Sequence, residues 1–331
     1  MAEIPYVLAY LAIAVFMVAV IVRFRMWSKM PMHMRWELYP VAHEASKAHY
    51  GGSYLEETEW WKKPREVSLM GELKVMIPEI LFLVAVKEKN PKLWLRTFPF
   101  HFGLYLAIGS VALMLLFGVV EAVAPGALAT ANLVGPLQTI IVIVGVAGLA
   151  IGLIGALGLL HRRLTSPDLK DFTTGADLFN LVFFIAAFGC SLATFWLVDR
   201  DGAIIMGFTT NLVSFKLVAL QGTGLALQLP LASIVLMSLL TAYVPLTHMS
   251  HFVGKYFAYH SIRWNDEPNL PGGKQEPIIQ GLLNRPISWA APHIEGDGKK
   301  SWAEVCTTNP FEEKKAKKEK KAKKEKKEDG K

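Results

Sequence analysis

The chain has 331 residues, of which 52% are hydrophobic, and a formal net charge of +7. Its mean hydropathy of +0.32, with the apolar residues gathered in blocks, excludes an ordinary soluble domain. Its two cysteines, Cys190 and Cys306, form no CxxC motif, so the chain encodes neither a cysteine-ligated iron–sulfur cluster nor a covalently attached c-type haem.

Five apolar blocks without Asp, Glu, Lys or Arg are long enough to cross a bilayer. They predict an all-α, polytopic membrane protein with five transmembrane helices. The first block is preceded by Glu3 and no basic residue, so we expect a retained helix rather than a cleaved signal peptide. The blocks are roughly Ile4–Val22, Phe98–Val120, Leu133–Leu160, Leu178–Val198 and Leu229–Val253.

Basic residues predict the orientation of the spans. The loop 23–97 is rich in Lys and Arg, and the loop after the third block carries Arg162, Arg163 and Lys170, whereas 121–132 has neither residue type. The positive-inside rule therefore predicts the N-terminus outside and the C-terminus in the cytoplasm of a multi-pass protein of the cytoplasmic (inner) membrane.

Two shorter apolar segments and the C-terminal tail complete the chain. Val75–Val86 is short and contains Pro78, so we expect an interfacial or re-entrant segment, and Ala203–Leu220 is expected to be a helix near the outer surface. The tail 312–331 holds eleven lysines and six acidic residues, a net +5 of the chain's +7. Such a run is expected to be disordered or a frayed helix, and we interpret it as a solvated cytoplasmic tail that binds no nucleic acid.

Two histidines lie inside apolar blocks, His101 about one turn into the second and His251 near the end of the fifth. An ionisable residue in a transmembrane helix is a functional-site candidate, and imidazoles of helical bundles are axial ligands of haem iron. With the predicted orientation, both imidazoles lie in the cytoplasmic leaflet and can face one haem from opposite sides. A helix–helix hydrogen bond or a proton relay remains the alternative.

His248 is a further candidate, because it lies three residues from His251 on nearly the same helix face. It is either the ligand in place of His251 or a partner for a haem propionate. None of the nine histidines lies in the predicted outer half, so the chain alone cannot build a second, outer haem with two histidine ligands.

Five spans with this histidine pair resemble the gamma (cytochrome b) subunit of respiratory nitrate reductase. The run PLTHMSH (245–251) is similar to that family's Pro-aromatic-Ser-x-x-x-His ending, and FHFG (100–103) is similar to the partner site. The remaining segments resemble a narrower branch, the membrane cytochromes b of sulfate-reducer electron-transfer complexes (the DsrM, TmcC and HmeC type). They are RWELYPVAHE (35–44), GGSYLEETEWWKKPRE (51–66), FPFHFGLYL (98–106), KYFAYHSIRWNDEPN (255–269) and SWAEVCTTNP (301–310).

The resemblance implies a subunit that passes electrons between menaquinone and a cytoplasmic iron–sulfur protein like the catalytic subunit of heterodisulfide reductase. It implies haem b held by His101 and His251, and as further partners a periplasmic multihaem cytochrome and other membrane subunits. The nitrate reductase family has a second histidine pair, which falls here on Val111 and Ser233, so the resemblance carries over one haem and leaves a second open. A haem-free anchor or quinone-binding subunit is the alternative, and a transporter is disfavoured because no span is charged.

The predicted organisation has five parts. A first transmembrane helix (1–27) precedes a cytoplasmic loop (28–97), whose aromatic residues indicate a docking surface for the iron–sulfur partner or, alternatively, an interfacial aromatic belt. A four-helix transmembrane haem domain (98–257), a cytoplasmic docking segment (258–311) and the tail (312–331) follow. The aromatic residues of the loop are Trp36, Tyr50, Tyr54, Trp60 and Trp61.

Overall fold

The computed structural model describes residues 3–29, 57–59, 62–63, 68–258, 271–287, 298–309, 311–312 and 315. These residues are overwhelmingly helical, and five of their helices are long and apolar enough to cross a membrane. The predicted all-α class and the five long apolar helices are therefore confirmed, and the chain is a multi-pass membrane protein. The five loop aromatics and nearly all of the tail lie outside the described residues.

The chain divides into two units, residues 1–27 with 67–256 and residues 28–66 with 257–331. The first unit contains all five long helices. In the second unit, the backbone of Ile287 donates to the carbonyl of Lys300 at 2.9 Å, which joins the segments that carry two short helices. The helices are α1 Ile4–Ser28, α2 Leu69–Phe82, α3 Val84–Lys89, α4 Pro91–Val123, α5 Ala127–Thr130, α6 Val134–Thr165, α7 Gly175–Leu197, α8 Ala203–Val213, α9 Leu225–Tyr243, α10 His251–Ala258, α11 Gln275–Leu283 and α12 Trp302–Thr307.

Capping residues, rather than the limits of the apolar blocks, decide where two of the long helices, α4 and α7, begin. Asn90 caps α4 by accepting from the backbone N–H of Leu93 at 3.0 Å, and Pro91 occupies the first turn. Thr174 and Asp177 form a capping box at the start of α7. The helix α4 therefore starts seven residues before the predicted block, which places His101 eleven residues into a 33-residue helix.

The fifth span ends earlier than predicted. The block Leu229–Val253 indicated one helix, but α9 ends at Tyr243 and is followed by two 3₁₀ turns, Val244–Leu246 and His248–Ser250. Pro245 lacks the backbone N–H that a continuing helix requires. His251 is consequently the first residue of the separate helix α10, and its expected place inside the fifth transmembrane helix is wrong.

The two shorter apolar segments form helices that do not span. Val75–Val86 falls on α2 and α3, which are separated by Leu83 in the left-handed region at a φ of 52°. The helix α8 has 11 residues and is therefore about 16 Å long, roughly half the thickness of a hydrocarbon core. Tyr6 and Tyr10 fasten α1 to this region by donating to the carbonyls of Val218 (3.0 Å) and Leu212 (2.6 Å).

Glycines bring α4 and α6 into backbone contact. A Cβ atom at Gly103 would overlap the backbone of Gly152, and a Cβ atom at Gly155 would overlap the backbone of Phe100. Such close approach through small residues is how transmembrane helices associate, because lipid supplies no hydrophobic driving force between them. Phe188 of α7, which is 1% exposed, packs against Gly152 at this contact and completes the core. The backbone contact between α4 and α6 fixes the position of the stretch of α4 that carries His101.

We expect Gly103→Ala to lower the free energy of unfolding by about 1–3 kcal/mol, because the added methyl group overpacks the contact between α4 and α6. The apparent unfolding temperature in detergent measures the effect. Gly109→Ala is the matched control, since it lies in the same helix and its Cβ atom meets no described atom within 4 Å. Equal unfolding temperatures for the two variants would contradict the close packing.

Candidate functional site

A hydrogen bond from its imidazole ring to the backbone of Thr97 orients His101. Its Nδ1 atom lies 2.8 Å from the carbonyl oxygen of Thr97 and 3.3 Å from Thr97 Oγ1. A carbonyl oxygen only accepts, so Nδ1 carries the hydrogen atom and Nε2 of the neutral ring keeps a lone pair. A backbone carbonyl on the other ring nitrogen is the arrangement that commonly orients a metal-binding histidine.

Hydrogen bonds from α1 hold the segment that carries His251 in place. Arg23 donates through Nε to the carbonyl of Pro245 at 2.6 Å and through Nη2 to the carbonyl of Leu246 at 3.1 Å. These carbonyls are near the end of α9, where helical partners are missing, so a guanidinium group satisfies them well. Within the turn, Ser250 donates to the carbonyl of Thr247 at 2.8 Å. The position of His251 therefore depends on a contact between the first and fifth spans.

The two imidazoles lie next to each other. The ring centres of His101 and His251 are 6.1 Å apart, with an angle of 64° between the ring planes. The ring of Phe100 meets His101 edge-on at 5.5 Å, and Phe184 meets Phe100 edge-on at 5.0 Å, so aromatic side chains flank the pair on one side. The structure thus brings together the two histidines that the sequence singled out.

This spacing agrees with two imidazoles bound to one metal ion from opposite sides. An imidazole nitrogen binds a metal ion at about 2 Å, so each ring centre lies about 3 Å from the metal and the two centres lie about 6 Å apart. Two imidazole rings bound to one metal ion can rotate about their bonds to the metal, so the angle of 64° between the ring planes is compatible with this arrangement. Within the described residues, no group of three or more His, Cys, Asp or Glu side chains could hold a bare metal ion. A porphyrin brings four nitrogen ligands of its own, so two imidazoles are enough protein ligands for its iron.

His248 points to a different neighbour. Its Nε2 atom is 3.9 Å from Asp177 Oδ1, which is also 3.8 Å from Arg163 Nη2, and 67% of the His248 side chain is exposed. Asp177 in turn accepts from the Thr174 hydroxyl at 2.8 Å as part of the capping box of α7. His248 therefore belongs to a polar cluster at the ends of α6 and α7, while His251 faces His101.

A cavity of about 430 Å³ lies deeper in the bundle. Val111 and Ser233, where the nitrate reductase family has its second histidine pair, both line it, as do Met114 and Met237. None of its lining residues is a histidine. Ser233 shares a hydrogen bond of 2.8 Å with Ser191, so the wall of the cavity carries a hydroxyl pair.

A second pocket, of about 420 Å³, contains a carboxylate that sequence reasoning missed. Glu121 lines this pocket near the end of α4, on the far side of the bundle from His101. The available signal was a single acidic residue at the edge of an apolar block, in a stretch without Lys or Arg. That signal is weak, because an acidic residue at a helix end is ordinarily a solvated one.

Comparison with known proteins supplies no family assignment for this chain. No protein-family model matches the sequence, and no curated protein matches it significantly.

We expect Arg23→Ala to loosen the segment 244–251, because the carbonyls of Pro245 and Leu246 lose a charged donor. Loss of these bonds should cost about 1–2 kcal/mol, toward the lower end of the range because the second bond is exposed. Hydrogen–deuterium exchange of the amides of 247–253 and the apparent unfolding temperature measure it. Arg200→Ala is the matched control, since Arg200 donates to the carbonyl of Trp196 in the preceding turn of its own segment and, among the described residues, to no other element. Unchanged hydrogen–deuterium exchange in Arg23→Ala would contradict the role of Arg23 in holding this segment.

Proposed function

We propose that the protein is a membrane cytochrome b subunit that passes electrons between menaquinone or menaquinol and a cytoplasmic iron–sulfur subunit of the heterodisulfide-reductase type. Its haem b is bound by His101 and His251. The observation that carries the proposal is the spacing of 6.1 Å between the two ring centres, one in the long helix α4 and one at the start of α10.

The chain's own residues prepare the pair for an iron porphyrin. The Thr97 carbonyl keeps the Nδ1 atom of His101 protonated, which leaves Nε2 as the ligand atom. Arg23 holds the segment of His251, and the aromatic side chains of Phe100 and Phe184 give the pair a partly apolar surrounding. When bound, haem b supplies one-electron chemistry, and the protein sets its orientation and its potential.

The partners follow from the sequence pattern and the resemblance. The basic loops support an orientation with the N-terminus outside, which puts the histidine pair in the cytoplasmic half, next to an iron–sulfur acceptor or donor. The aromatic loop around Trp60 and Trp61 is the proposed docking surface. A periplasmic multihaem cytochrome and other membrane subunits are further proposed partners.

The second candidate is a haem-free membrane anchor or quinone-binding subunit. It is favoured by the edge-on contact of the two imidazoles, because 6.1 Å also falls within the range of about 4.5–7 Å typical of aromatic pairs. In this case the histidines only join the helices. The two candidates differ in colour, since only the first has a visible absorption spectrum.

We expect one b-type haem per purified chain, lost in both His101→Ala and His251→Ala, because each variant removes an axial ligand. The dithionite-reduced minus oxidised spectrum and pyridine-haemochrome quantitation measure it. His161→Ala and His248→Ala are matched controls that should keep the haem. Added imidazole should restore a haem signal to His101→Ala if the variant is folded. Haem retained in His251→Ala but lost in His248→Ala would move the ligand to His248.

We expect deletion of 51–65 to release the co-expressed iron–sulfur subunit while leaving the haem content unchanged. The deleted segment carries the aromatic residues of the proposed docking surface, Tyr54, Trp60 and Trp61, and neither ligand. Co-purification of the two subunits, with haem quantified in the same sample, measures the effect. Deletion of 316–331 is the control and should retain both. Loss of haem on deleting 51–65 would contradict the assignment.

A further inference from the structure

Glu121 has an unmet hydrogen-bond requirement. Its Oε2 atom accepts from the backbone N–H of Gly126 at 3.2 Å. Its Oε1 atom is buried and has no hydrogen-bond partner in the described part of the chain. Buried polar atoms are nearly always hydrogen-bonded, so this oxygen offers an acceptor to a hydrogen-bond donor of a ligand in the pocket.

The pocket around Glu121 shares one wall residue with the cavity in the apolar interior. Met206 lines both this pocket and the neighbouring cavity of about 430 Å³. The amide of Gln138, another wall residue, already donates to the carbonyl of Asp201 at 2.9 Å. The rest of the wall is mostly apolar, with two further polar residues; it consists of Phe117, Ala129, Val134, Ala203, Gly207, Thr210 and Asn211.

The two features specify a ligand class. The carboxylate oxygen requires a hydroxyl donor, while the mostly apolar walls require an apolar body that enters from the membrane. Among the described residues, no Lys or Arg lines the pocket, so the wall offers no cation to bind a lipid phosphate next to the carboxylate. A lipid-soluble hydroquinone fits, since it carries ring hydroxyls on an apolar ring and chain.

We propose that the Glu121 pocket binds the ring of a membrane hydroquinone, with Glu121 Oε1 accepting a hydrogen bond from a ring hydroxyl. The apolar remainder of the ligand extends past Met206 into the neighbouring cavity. This assignment rests on the proposed quinone-linked function. Glu121 lies twenty residues after His101 in α4, about 30 Å along the helix, so this ligand site is separate from the histidine pair.

The preference between reduced and oxidised ligand tests the role of Glu121. The probes are menadiol, kept reduced under anaerobic conditions, and menadione, titrated against the full chain in lipid nanodiscs. Menadiol donates hydrogen bonds and menadione only accepts them, so Glu121→Gln should weaken menadiol binding by about tenfold or more and leave menadione binding equal or tighter. Asp171→Asn, the same change of a carboxylate to an amide at an exposed position that lines neither pocket, should alter neither.

A substitution that fills the pocket tests whether the probes bind there. A Cβ atom at Gly207 meets no described atom within 4 Å, so Gly207→Leu should fold and occupy the space next to Glu121. We expect it to abolish the binding of both probes. Gly189→Leu is the matched control, since Gly189 also lies in a helix with open space around its Cβ atom and lines neither pocket.

Each outcome decides between the proposals. Equal menadiol affinity in wild type, Glu121→Gln and Gly207→Leu would overturn the hydroquinone site, and retention of a co-purified phospholipid or sterol there would assign the pocket to an ordinary lipid. The haem content of the same samples separates the two hypotheses. Haem present with unchanged menadiol binding defeats only the Glu121 site, whereas a colourless chain that still loses menadiol binding in Glu121→Gln defeats only the cytochrome assignment.

Discussion

The backbone contact between α4 and α6 determines where His101 lies. Gly103, Gly148, Gly152 and Gly155 remove the side chains that would otherwise separate the two helices, and His101 is two residues from the first of them. Arg23 then determines where His251 lies, through the carbonyls near the end of α9. The histidine pair is therefore the product of two independent tertiary contacts, one on each side of the site.

The two ends of the bundle differ in chemistry. At one end, two imidazoles face each other at 6.1 Å, with a polar cluster of His248, Asp177 and Arg163 at the ends of α6 and α7. At the other end, Glu121 lines a mostly apolar pocket, in a stretch that lacks basic residues. The proposed transfer of electrons between a membrane-soluble donor and a soluble partner requires both kinds of site in one bundle, and the separation along α4 keeps them apart.

The sequence predicts some of these features well and others poorly, for physical reasons. The length of an apolar run can be counted in the local sequence. All five spans could therefore be predicted, and the majority of their ends agree to within a few residues. The break at Pro245 was missed because the apolar block continues past it, although the missing N–H was visible in the sequence. The bond from Arg23 to Pro245 joins residues 222 apart and has no local signal. The orphan oxygen of Glu121 is likewise a property of packing, which no single sequence displays.

The most direct test of the central claim is the axial ligation of the haem in the wild-type chain. Near-infrared magnetic circular dichroism of the oxidised protein, combined with the haem-to-chain ratio, identifies the ligand pair without any substitution. We expect a low-spin ferric haem with two imidazole ligands at a ratio of one per chain. A histidine–methionine signature, or a chain purified intact without haem, would contradict the assignment of His101 and His251.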